Sequence, residues 1–243
     1  MYIFVVFMLK KDYYKDGPNG KTKARLEEAS GERCLIVPYE EFDMSVVREI
    51  SPRAIVLSGF GGRWQDRPVK GFYGANEVLH ETEAPMLCLC GGHQLVGYCF
   101  NGDIRKKKVL LDQPMRKLNK EEDTPRRGGW TPKYDFSGNF QADGYFPITQ
   151  VKSDPLFRGL PRTMMMRCWH FCEVKKIPPE FEVIARSGHC RVEAMRHKTR
   201  VLYGTQFHPE LYDAPWFHGR KLLANFAEIV AEYWSRKHAK GGK

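Results

Sequence analysis

No stretch of this 243-residue chain stays apolar for the roughly 20 residues that a membrane crossing requires. Its apolar start, Met1 to Leu9, is short and runs straight into Lys10 and Lys11, whereas a secretory leader carries its positive charge ahead of the apolar run. A first core strand is the expectation there. Internal repeats and low-complexity blocks are also missing. Paired cysteines are not in evidence either. The seven cysteines, at 34, 88, 90, 99, 168, 172 and 190, are odd in number and lie largely in apolar segments, which points to reduced thiols in a cytoplasmic setting. Zinc spacing is lacking as well. Cys168-Trp169-His170-Phe171-Cys172, with His189 and Cys190, fits no common pattern and reads more simply as buried strand cysteines. Neither a metal nor a cofactor is therefore expected. The chain carries a net charge of +10 with a pI near 9.2, yet no nucleic-acid motif accompanies its basic clusters. Those at Arg105 to Lys108, at Arg116, Lys117, Lys120, Arg126 and Arg127, and near the end at Arg236 to His238, Lys240 and Lys243, read as solvated faces.

What is present is a regular alternation of strand and helix. With 42% hydrophobic residues, the length suffices for one α/β domain over residues 1–243. Strands are expected at Tyr2 to Leu9, Arg33 to Pro38, Ala54 to Ser58 and Met86 to Cys90. Helices fall between them, around Lys21 to Ser30, Asp43 to Ile50 and Gly74 to Glu83, and then from about Gly92 to Phe100. Later strands are expected at Arg162 to His170, Phe181 to Ser187, Arg191 to Arg196 and Val201 to Phe207. A last helix spans about Pro215 to Arg236, with Leu222, Leu223, Phe226, Ile229, Val230 and Tyr233 on its core stripe. Residues 103–157 are polar, basic and broken by Pro114, Pro125, Pro132 and Pro147, so this segment reads as irregular. Residues 236–243 read as a basic tail.

Two stretches carry chemistry. In Pro85 to Gln94 an apolar strand ends abruptly in Cys90, two glycines follow, and a helix begins. That is the layout of a nucleophile elbow, in which a strained strand-to-helix turn presents one side chain at the carboxyl edge of a sheet. The N–H of Gly91 then points toward a developing oxyanion. In Val201 to Glu210 a second strand delivers His208, with Glu210 two residues on. An imidazole takes and returns a thiol proton, and a carboxylate on its other nitrogen holds the tautomer. Cys90, His208 and Glu210 are the candidate triad. His93 reads as a structural helix residue.

These motifs resemble the class I glutamine amidotransferases, a family with a Cys-His-Glu triad. Cys90, Gly92, His93 and Gln94 match its elbow, and Gln206-Phe207-His208-Pro209-Glu210 matches its second signature without a substitution. Ala54 to Gly62, a strand ending in Ser-Gly and a glycine-rich turn, matches its oxyanion loop. The resemblance implies a doubly wound, flavodoxin-like, mostly parallel sheet flanked by helices. It also implies Gly59, Phe60 and Gly91 as the oxyanion hole, with Gln94 and His170 as substrate-binding residues. Four positions depart from the family pattern. Cys88 and Phe60 stand where glycine is common, Arg127-Gly128-Gly129-Trp130 replaces Glu-x-Gly-Trp, and Trp169-His170-Phe171-Cys172 keeps only the histidine of Ser-His-x-Asp. The implied activity is hydrolysis of the glutamine γ-carboxamide through a Cys90 thioester, releasing ammonia for a separate synthase subunit. The alternatives are a γ-glutamyl hydrolase acting on a γ-glutamyl amine or peptide without a partner, and a catalytically silent binding domain.

Overall fold

In the computed structural model, which describes residues 1–10, 12–13, 20–122 and 138–241, nine strands form one sheet. Their order is β2-β1-β3-β4-β9-β8-β7-β5-β6. Strands β1 (Tyr2–Val6), β2 (Cys34–Pro38), β3 (Ala54–Leu57), β4 (Met86–Leu89) and β9 (Leu202–Thr205) pair in parallel. Strands β8 (Ala194–His197), β7 (Phe181–Arg186), β5 (Ala142–Gln150) and β6 (Thr163–His170) extend the sheet in antiparallel fashion.

The unbroken apolar runs of the parallel half follow from burial on both faces. Tyr2, Phe4, Val6, Val56, Leu87 and Leu89 pack with Leu26 of α1 (Gly20–Ser30) and with Leu222, Phe226, Ile229 and Val230 of α5 (His218–Gly241). The alternate residues Ile3, Val5, Ile55, Leu57, Met86 and Cys88 pack on the other face. Their partners are Ala75, Val78 and Leu79 of α3 (Tyr73–Glu81) and Leu95 and Val96 of α4 (Gly91–Phe100). A further helix, α2 (Met44–Ile50), is capped by Asp43, whose carboxylate accepts from the N–H groups of Ser45 and Val46. The doubly wound, mostly parallel architecture expected from the sequence is therefore the one observed.

Three details differ. The segment 103–157 holds a nine-residue strand, β5, where irregular chain was expected. It reads Ala-Asp-Gly-Tyr-Phe-Pro-Ile-Thr-Gln and is only partly buried, so neither alternation nor a hydrophobic run marks it. Pairing with β6 from Ala142 to Thr149 creates the strand, while β7 reaches only Thr149 and Gln150. Pro147 is tolerated beside that sparsely paired edge. Second, α5 starts at His218 and continues past Arg236 to Gly241, so the basic tail is helical there, and Lys237 pairs with Glu83 at 2.5 Å. Third, several strands end early, β1 at Val6 and β9 at Thr205. Pro125, Arg126, Pro132, Lys243 and the Arg127 to Trp130 stretch lie outside the described residues.

All seven cysteines are buried and free. Arg105 to Lys108 are exposed, with Lys106 paired to Asp103 at 3.8 Å. No helix among the described residues is long and apolar enough to cross a membrane.

The elbow helix sits hard against β3. A Cβ on Gly92 would lie 2.7 Å from Leu57 Cβ and 3.0 Å from the Leu57 carbonyl oxygen. Gly92→Ala is expected to destabilise the fold by about 1–3 kcal/mol through overpacking, read as a lower urea midpoint at unchanged slope. An unchanged midpoint would show that α4 moves away from β3 at no cost.

Candidate active site

Cys90 stands between β4 and α4 with φ 45° and ψ −97°, outside the ordinary regions for a side-chain-bearing residue. Such a conformation costs on the order of 1–3 kcal/mol and persists only where neighbours enforce it. They do so from both sides. The Cys90 N–H donates to the Thr205 carbonyl at 2.6 Å, extending the ladder with β9. The Gly92 N–H donates to the Ser58 carbonyl at 2.9 Å, tying the turn to the end of β3. That bond occupies the Gly92 amide and leaves the Gly91 amide as the donor at the turn.

His208 follows β9, and its backbone N–H is held by the Arg167 carbonyl of β6 at 2.7 Å. Its ring Nδ1 meets Glu210 Oε1 at 2.6 Å, both side chains being buried. Burial alone pushes an imidazole down; here the Glu210 carboxylate, helped by Cys90, outweighs it and raises His208 well above its ordinary value. The Glu210 turn is fixed in its own right. Its carbonyl accepts from Arg25, whose guanidinium lies 3.7 Å over the centre of the Tyr212 ring. Gly59 shows how closely the groups converge. A Cβ placed on it would be 2.7 Å from His208 Cε1, 3.5 Å from His208 Nε2 and 3.6 Å from Cys90 Cβ.

The same three residues line a cavity of about 240 Å³, with Ser58, Phe60, Gly61, Gly62, Gln94, Trp169, His170 and Glu210. Phe60 backs directly onto the elbow, since a Cβ on Gly91 would fall 2.5 Å from the Phe60 nitrogen. Its ring packs 4.7 Å from Trp64 and 6.3 Å from Phe7. A side chain where the family often has glycine thus anchors this loop in an aromatic cluster.

Gln94 lines the cavity, but its amide is turned to protein partners. Oε1 accepts from Trp64 Nε1 at 2.8 Å, while Nε2 donates to the Cys172 carbonyl at 3.0 Å and to Gln206 Oε1 at 3.3 Å. Gln206 in turn donates from Nε2 to Cys90 Sγ at 3.5 Å. Sequence reasoning gave no role to Gln206 or Trp64. The signal for Gln206 was available, because residues two apart in an extended run, such as 206 and 208, share a face. Trp64 carries no such signal, since a loop tryptophan thirty positions before Gln94 finds its place only in three dimensions.

His170 also lines the cavity and is buried, which pushes it down to about 4; its Nδ1 lies 3.1 Å from the Cys172 carbonyl. His93 is packed in the core against Gly204, where a Cβ would come within 2.5 Å of its Nδ1, and burial lowers it to about 3. It does not line the cavity.

A model of the family described as glutamine amidotransferase class-I matches residues 21–230. Over 205 residues the chain is 30% identical to the glutamine-hydrolysing subunit of GMP synthase from Pyrococcus furiosus, covering 83% of this chain and 88% of that one. The corresponding subunit of Thermococcus kodakarensis is 32% identical over 196 residues, covering 80% and 82%. Among solved structures, a Thermoplasma acidophilum protein assigned as a GMP synthase subunit superposes with a TM-score of 0.69 at 23% identity, covering 98% of each chain. The acivicin-bound glutaminase domain of Trypanosoma brucei CTPS gives 0.64 at 17% identity, covering 96% of this chain and 94% of that one. Those two likenesses bear on the fold. With the family model running across the elbow, the oxyanion loop and the His-Pro-Glu turn, this chain belongs to the class I glutamine amidotransferases.

Proposed function

We propose that this chain hydrolyses the γ-carboxamide of glutamine through a Cys90 thioester and supplies the ammonia to a separate synthase subunit. The observation that carries the reading is the convergence of Cys90, the His208–Glu210 pair and the Gly59–Phe60 turn on one cavity. Cys90 sulfur attacks the carboxamide carbon, and the N–H groups of Gly91 and of the Gly59–Phe60 turn receive the oxyanion. Removing one such donor typically costs about 3–4 kcal/mol of transition-state stabilisation. His208 protonates the departing ammonia, then takes a proton from the water that cleaves the thioester. Glu210 holds His208 by its Nδ1. Gln94 acts by keeping Gln206 against Cys90 and the Cys172 carbonyl in the wall, and His170 shapes that wall. The synthase partner is supported by the names of the relatives, glutamine-hydrolysing subunits of GMP synthase.

Intact mass after incubation with a glutamine-shaped electrophile is the direct test. A single adduct, absent from Cys90→Ala and suppressed by glutamine, is the expected result. Suppression by γ-glutamyl amines with none by glutamine would shift the substrate to a larger γ-glutamyl compound. No adduct on folded protein, even at raised pH, would indicate a silent site.

The raised His208 makes stability depend on pH in a defined direction. Between the ordinary imidazole value of about 6.5 and the raised folded value, the folded chain holds more protons than the unfolded one, so stability falls as pH rises. The His208 contribution is complete below that window and is lost as pH climbs through it. Glu210→Gln removes the interaction that raises His208. The stability gap between wild type and variant is therefore expected to be widest near pH 6 and to narrow as pH rises, measured as urea midpoints across pH. A gap that does not change with pH would break the link between Glu210 and His208. Turnover in this variant is expected to fall by roughly 10²–10⁴-fold.

A further inference from the structure

Behind the cavity wall, β6 turns a second set of donor atoms inward. Alternate residues of a strand share a face, so Cys168 and His170 point to one side of β6, and both are buried. His189 and Glu193 reach the same spot from the connection between β7 and β8. One donor atom from each of the four residues lies within 4.8 Å of a donor atom from every other. Glu193 is 0% exposed. Its backbone is clamped between strands, with its N–H on the Ala185 carbonyl at 3.1 Å and its carbonyl on the Gln206 N–H at 2.7 Å. The His189 ring is held by Phe140 and Phe146, at 5.0 and 4.7 Å between centroids.

Among the described residues, His170 Nε2, His189 Nε2 and both carboxylate oxygens of Glu193 lack a hydrogen-bond partner, although Glu193 Oε1 comes to 3.2 Å from His189 Nε2. Protein interiors pair nearly all such atoms, and an unpaired buried carboxylate is among the most costly exceptions. Here the exceptions gather at one point, beside a thiol.

We propose that Cys168, His170, His189 and Glu193 bind one divalent transition-metal ion of the zinc type. A thiolate, two imidazoles and a carboxylate suit zinc and its neighbours, whereas calcium and magnesium take oxygen ligands. The charges balance. Cys168 releases its thiol proton to solvent as the sulfur–metal bond forms, and its thiolate and the Glu193 carboxylate together cancel the dication. Bonds of about 2.0–2.3 Å around a tetrahedral centre set ligand atoms about 3.3–3.8 Å apart. The widest separation of 4.8 Å therefore has to close by roughly 1 Å. The ion's role is structural. It ties the end of β6 to the 189–193 turn, and so steadies His170 and the Trp169 carbonyl, which accepts from Cys90 Sγ at 3.8 Å. The donors are two apart on a strand and four apart in a turn, which is why their spacing matches no common zinc pattern in the sequence.

The test is metal analysis of the full chain, produced with zinc and purified without chelator, beside a cobalt(II) titration of the metal-stripped protein. The expected outcome is one equivalent of metal per chain, a thiolate-to-cobalt charge-transfer band with tetrahedral visible bands, and a raised thermal midpoint. Glu193→Gln and Cys168→Ser should each weaken binding by at least about 100-fold and remove the spectrum. Cys90→Ser should leave it intact, which separates this site from a metal caught between Cys90 and His208. Folded wild type with neither stoichiometric metal nor a cobalt spectrum would overturn the proposal, leaving buried water to satisfy these donors. A spectrum abolished by Cys90→Ser and spared by Cys168→Ser would overturn it equally. The wild-type and Cys90→Ser measurements use proteins whose proposed donors are intact, so they decide the matter even where a donor variant fails to fold.

Discussion

The parallel pairing of β3, β4 and β9 is the constraint on which the active site depends. Leu57 stands opposite Cys88, and Leu89 opposite Thr205, so the three strands end at nearly one level. Each then opens into a segment with a different task. The Gly59–Phe60 turn leaves β3, Cys90 leaves β4, and His208 leaves β9. Parallel strands send all their carboxyl ends to one edge, which is how groups separated by more than a hundred residues meet without a dedicated scaffold. The strain at Cys90 is sustained by the same pairing. Its amide continues the β9 ladder while the next glycine but one bonds back to the end of β3.

That edge also explains why a charged pair is tolerated in a closed place. His208 and Glu210 are both buried, an arrangement that is unfavourable unless geometry and further hydrogen bonds compensate. Nδ1 and Oε1 meet at 2.6 Å, and Arg25 fixes the carbonyl of the same turn. On the other side of Cys90, a chain of neutral groups from Trp64 through Gln94 to Gln206 reaches the sulfur. A neutral chain can approach a thiol without adding charge, so of these two directions only the histidine's brings a strong field to Cys90.

The parallel half of the fold, and nearly all of the triad's surroundings, could be read from the sequence because the signals there are local. Runs such as Tyr2 to Val6 are apolar throughout since both faces are covered, and the elbow and the Gln-Phe-His-Pro-Glu turn are contiguous motifs. The antiparallel half was harder. β5 contains Asp143, Gly144 and Pro147, and it is a strand only because β6 lies alongside it. Trp64 was equally invisible, since its hydrogen bond to Gln94 crosses thirty positions of sequence. Contacts of this kind leave no periodicity and no motif behind.

The same reasoning separates two kinds of buried polar group in this molecule. His93 is buried in the core without a strong partner, and burial settles it as a neutral packing residue fitted to Gly204. The Cys168, His170, His189 and Glu193 group cannot be settled that way, because one of its members is a carboxylate with no exposure. Neutral imidazoles and thiols sit in apolar surroundings at modest cost, whereas a carboxylate there calls for a positive partner. Among the described residues no arginine or lysine supplies one, and both Glu193 oxygens lack hydrogen bonds. Cys and His spacing in the sequence gives no hint of Glu193, yet it is the residue that changes the meaning of the other three. A cation at that point would complete the charge balance and, through His170 and the Trp169 carbonyl, would make the antiparallel half of the sheet a stiff wall for the chemistry presented by the parallel half.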